Sequence, residues 1–155
     1  MKLFNHLILA LSMLGIATLG HAASYGQNID LTQAKQLADA AAGKAGSMNL
    51  KVAIAVVDTA GHLVYFEKAD DTQTASVDVS IAKARSASNF RRPTKVFEDA
   101  VAGGRTSILG LPGAIPVEGG VPIVSNGKII GAIGISGASS TEDGMIAAAA
   151  INAIR

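Results

Sequence analysis

The stretch Ile115–Gly137 constrains the fold more than any other part of this chain. Two short apolar runs, Val121–Ser125 and Lys128–Ser136, are separated by Asn126-Gly127. That dipeptide supplies the two positive-φ residues of a type I′ turn, so the segment predicts a tight antiparallel hairpin. Glycines recur at 131, 134 and 137, inside or just after the second run. A glycine in a strand marks a place where another backbone, a helix or a ligand comes close. The hairpin is therefore read as a floor on which something packs.

The first 22 residues stand apart. Lys2, the apolar run Leu7–Leu19 and the small residues Gly20 and Ala22 form the tripartite pattern of a secretory leader cut before Ala23. The run is short for a bilayer span, so no stable membrane anchor is expected. Residues 23–155 then make one domain, periplasmic or secreted. Of thirteen Lys and Arg, one is Lys2, and the rest balance the twelve Asp and Glu. A near-neutral chain leaves no electrostatic footprint for nucleic acid. The absence of cysteine excludes disulfides, thiol chemistry and Cys–zinc sites.

Asp30-Leu-Thr-Gln predicts a helix with a capping box, closed at Gly43 or Gly46. Val52–Asp58 and His62–Lys68 predict two strands around the turn Thr59-Ala-Gly61. A helix follows over Ser76–Phe90, with Val77, Ile81, Ala84 and Ser88 facing inward and Arg92-Pro93 stopping it. Thr94 caps a shorter helix through Ala102, and Ser140 opens a last helix that runs to Ile154. A further short strand has room near Ile115. The order α-β-β-α-α-β-β-α with tight turns between strands predicts an antiparallel sheet flanked by helices, an α+β fold.

Several stretches together carry a resemblance. Val56-Val57-Asp58-Thr59-Ala60-Gly61-His62-Leu63-Val64 resembles the hairpin signature of the GlcG/HbpS-like proteins, the haem-degrading or haem-binding domain family. Ala75-Ser76 through Lys83-Ala84, with Phe90, Pro93 and Thr94, is similar to that family's next helix. Glu118-Gly-Gly-Val-Pro-Ile123 and Gly131-Ala-Ile-Gly-Ile-Ser-Gly-Ala138 resemble its C-terminal hairpin. The resemblance spans about Leu31 to Ile151. It implies a profilin-like sheet, symmetric homo-oligomers and, in some members, haem binding.

His62 is the one histidine left after leader removal, which makes it the first candidate ligand for haem iron. The competing reading is a polar residue tolerating solvent at a strand start. Arg85, Asn89 and Arg92 fall at i, i+4 and i+7 and are expected on one helix face, where two guanidiniums hold a carboxylate or a haem propionate. The competing reading is a solvated or intersubunit face. Lys83 projects from another side and occupies the recurrent Lys-Ala position of the family. Glu118 is the lone charge between Ile108 and Val124, where a desolvated carboxylate suits proton transfer or metal binding; a loop in water is the alternative. Asp58 is read as a turn cap.

Three functions follow as expectations. The first is an exported protein binding haem or a related tetrapyrrole, in haem or iron sensing, storage or degradation. The second is an enzyme on a small carboxylate metabolite, with Glu118 as acid/base and Arg85 and Arg92 holding substrate. The third is a non-catalytic oligomeric accessory protein. A nucleophilic enzyme fits poorly, because there is no cysteine, one histidine outside the leader and no Gly-x-Ser-x-Gly elbow.

Overall fold

The computed structural model describes residues 23–154; the leader predicted at 1–22 lies outside the described residues. Helix α1 (Leu31–Ser47) precedes strands β1 (Ala53–Val57) and β2 (Leu63–Lys68). Helices α2 (Ser76–Phe90) and α3 (Lys95–Ala102) follow, then a short 3-10 segment at Thr106–Gly110. Strands β3 (Gly120–Ser125) and β4 (Lys128–Ser136) lead into α4 (Ser140–Ala153). The four strands form one antiparallel sheet in the order β2-β1-β4-β3. The expected α+β architecture and order of elements hold. Asn126 (φ 48) and Gly127 (φ 72) make the predicted hairpin turn, with Ser125 opposite Lys128. Pro122 sits on the edge strand β3, where a missing N–H costs no ladder bond.

The two faces of the sheet differ in side-chain size because successive residues alternate. Ile54, Val56, Ile133 and Ile135 point to one side and pack with Leu37 of α1 and Ile146 of α4 in the main core. Ala55, Val57 and Ala132 point to the other side and meet Ala84 and Ala87 of α2. Small residues there let α2 ride close. At Gly134 a Cβ would overlap the Ser80 carbonyl oxygen and crowd the Ala84 amide. What packs over Gly134 is thus the chain's own helix, while Gly131 and Gly137 lie against the backbone at Val57 and Lys51. The inward stripe of α2 runs through Ser80, Ala84 and Ala87, while Val77 and Ile81 are only half-buried, a rotation from the expected stripe toward the smaller residues.

Local corrections accompany this. Helix α1 runs through Gly43 and Gly46, and Asn49 (φ 55) takes the left-handed position after it. Its predicted Asp30–Gln33 capping box is present. Thr94 spends its hydroxyl on the Gly120 amide (3.0 Å) instead of capping α3. The cap of α4 is Ser139, in a reciprocal box with Glu142, one residue before the expected Ser140. Ile115 lies in irregular chain, its amide donating to Ser86 Oγ (3.1 Å), so no strand forms there.

Candidate functional site

His62 stands at the tip of the β1–β2 hairpin, on a turn that its neighbours hold rigid. Asp58 follows β1, and its Oδ1 accepts the amides of Ala60 (2.9 Å) and His62 (2.8 Å), as a turn-capping aspartate should. Gly61 takes φ +80, and a Cβ there would press on Asn89 of α2. Ser88 donates its hydroxyl to the carbonyls of Asp58 (2.9 Å) and Thr59 (3.2 Å), and Arg85 Nε donates to Gly61 O (3.1 Å). Asn28 accepts both the amide and the hydroxyl of Thr59. The other carboxylate oxygen, Asp58 Oδ2, lies 3.5 Å from His62 Nδ1, while the imidazole is 80% exposed. A carboxylate facing one ring nitrogen orients the ring and leaves Nε2 for an outside partner.

The arginines do not share a face. Arg91 adopts the left-handed conformation (φ 54) and ends α2 at Phe90, so Arg92 is no longer on the helix. It turns onto the Phe97 ring, 6.0 Å from its centroid, and donates Nε to Phe90 O (3.1 Å). Arg85 and Asn89 remain together over the hairpin turn. Arg91 lies over Tyr25, whose hydroxyl bonds the carbonyls of Ser88 and Asn89.

Lys83 and Glu118 belong to a second cluster, around the start of α4. Lys83 is 1% exposed and donates Nζ to Asp143 Oδ2 (2.8 Å) and Ile135 O (3.0 Å). Asp143, 2% exposed, also accepts the Ala138 amide (3.1 Å). Gly119 leaves the room for this pair, since a Cβ there would crowd both Asp143 and Lys83 Nζ. Burial pushes the Asp143 carboxyl above the ordinary carboxylate range, and the hydrogen bond and charge of Lys83 pull back against it. Glu118 is half-buried, its carboxylate resting where a side chain at Gly144 would stand. Its amide donates to Glu98, which also accepts the Ser140 hydroxyl (3.1 Å). Arg85, Arg92 and Glu118 are each engaged by a different element. Three cavities among the described residues, of about 370–450 Å³, are lined by none of His62, Lys83, Arg85, Arg92 or Glu118. Among the described residues no cluster of three His, Cys, Asp or Glu side chains could hold a metal ion. No helix of the described residues is long and apolar enough to cross a membrane.

The family model described as "Haem degrading protein HbpS-like" matches residues 29–152. The chain belongs to this family. It is similar to the protein GlcG of Escherichia coli K12, 43% identical over 108 residues that cover 68% of this chain and 81% of GlcG. Among solved structures it resembles the Klebsiella pneumoniae protein ORFY (30% identity, TM-score 0.77, 88% and 97% of the two chains). It also resembles PduOC crystallised as a haem complex (27% identity, TM-score 0.73, 81% and 94%). The sheet flanked by helices is thus the architecture of the HbpS-like family.

In this HbpS-like chain, sequence reasoning missed two participants. Nothing in the sequence motifs singles out Asp143, yet it is the buried partner of a lysine sixty positions earlier. Glu98, equally unremarked in the sequence, ties α3 to both the Glu118 loop and α4. One signal was available for the first: Lys83 stands among Ser80, Ala84 and Ala87 on the closely packed side of α2, where a charge requires a counter-charge.

Proposed function

We propose that this chain is exported and binds haem at the β1–β2 turn, with His62 as the iron ligand. The reading is supported by the family description and by the haem held by the neighbour PduOC. The observation that carries it is the Asp58–His62 pair: an accessible imidazole oriented through Nδ1 by a carboxylate, on a turn fixed by Ser88, Arg85 and Asn28. These residues fit the group. His62 presents Nε2, and the remaining guanidinium nitrogens of Arg85 suit a propionate. When bound, the haem iron supplies the redox chemistry; the chain binds and orients the group. An exposed turn covers one side of a tetrapyrrole, so a second copy completes the site, and the working form is a homo-oligomer serving haem or iron sensing, storage or degradation.

The acid/base reading of Glu118 finds less support, because Arg85 packs at the β1–β2 turn and Arg92 on Phe97, each apart from that carboxylate.

Titration of the purified mature chain with haemin tests the proposal. A stoichiometric Soret shift is expected, and His62→Ala should abolish or displace it. A wild-type chain that gives no shift, or a spectrum unchanged by His62→Ala, would overturn the assignment.

A further inference from the structure

At the far end of β2 from His62, a cavity of about 390 Å³ opens between the C-terminal half of α1 and strands β1 and β2. Its size falls in the range of small-molecule sites. On the α1 side the cavity is lined by Ala42, Ala45 and Gly46, whose short or absent side chains leave the groove unfilled. Ala42, Ala45, Leu50, Val52 and Ile54 give it an apolar lining, and Lys51 and Lys68 stand exposed among the residues around it. Neither lysine makes an ion pair among the described residues. The one carboxylate in the lining, Glu67, already accepts the Tyr65 hydroxyl (3.1 Å). An apolar trough with two unpaired ammonium groups against one carboxylate carries a net positive charge and complements an amphipathic anion. With no His, Met, Cys or Tyr in the lining, it offers haem iron no such ligand.

We infer that this cavity binds a medium-chain aliphatic carboxylate, its alkyl chain along the α1–β1 trough and its carboxylate between Lys51 and Lys68. The alkyl chain supplies apolar burial and the lysines select the anion. Gly46 offers a clean way to close the site. A Cβ there meets nothing within 4 Å, and the residue lies within α1, so a larger side chain fits the backbone and raises helix propensity.

Octanoate is the probe. Titrated into the mature chain and followed by amide chemical shifts, it should perturb residues around Ala45, Val52 and Lys68. Gly46→Leu should weaken binding about tenfold or more, since the alkyl site is filled. Lys51→Gln with Lys68→Gln, surface changes that leave the core intact, should weaken it about five- to tenfold, and octanol should bind less well than octanoate. Haemin titration of Gly46→Leu should match the wild type, so a failure here is distinguishable from a failure at His62. No perturbation at millimolar octanoate, equal binding of octanol, or octanoate affinity untouched by the lysine pair would overturn the inference. Competition by haemin at this cavity would reassign it to haem propionates, and binding only to vesicles of the acid would reassign it to a lipid surface; either result overturns the proposal.

Discussion

At the residue scale, the decisive contacts are those that orient a side chain already chosen by its chemistry. Asp58 uses one carboxylate oxygen to build its turn and aims the other at His62. Asp58→Asn should therefore leave His62 in place yet weaken haemin binding about 10- to 100-fold, read from the Soret titration. An unchanged affinity would show that the orienting carboxylate is irrelevant to binding. The cap of α4 supplies a second test. The Ser139 hydroxyl and amide donate to Glu142 and hold its carboxyl below the ordinary value of 4.5. A lowered folded-state pKa means the contribution is present above the unfolded value and lost as pH falls through the folded one. Urea midpoints from neutral pH downward should thus fall in the acid range below about 4.5, and less steeply in Glu142→Gln. The Asp58 turn was legible because an Asx turn is a local geometry. The Ser139 cap was placed one residue off, because two adjacent serines compete and the backbone angle decides between them.

At the scale of elements, Lys83 and Asp143 join α2 on one face of the sheet to α4 on the other, around the glycines that open β3. Removing one partner strands the other charge in the interior. Lys83→Met should cost about 3–5 kcal/mol, measured by denaturant unfolding, and leave the Asp143 carboxyl raised further. Lys83→Met with Asp143→Leu should recover much of that loss, because apolar replacement removes both desolvated charges. Additive losses would show that the pair is not a unit. The bounds of α2 were legible from its pattern and from Pro93 just beyond it, which no helix can run through unbroken. The fate of Arg92 was not, because one left-handed residue at position 91 swings the chain off the helical face.

At the scale of the whole molecule, the sheet's two unequal faces set where a ligand can sit. The small face admits α2 so closely that no space remains over Gly134, and the hairpin tip and the α1 trough are left as accessible ground. Under the proposed reading, a haem held on the exposed β1–β2 turn is completed by a neighbouring copy. Native mass measurement of the chain recovered from the periplasm or medium should show a homo-oligomer of subunits beginning at Ala23. A monomer, or subunits retaining Met1, would contradict the assembled or exported reading respectively.

What the amino-acid order determined unaided was the set of local choices: hairpin turns at Gly61 and at Asn126-Gly127, the Asp30 capping box, the span of α2, and the antiparallel α+β layout. Each depends on steric preferences within a few residues. Only the tertiary structure decided that Gly120 and Gly134 make way for α2 and that Lys83 is buried against Asp143. Those outcomes depend on burial and partners supplied from distant chain, which no short window of residues contains.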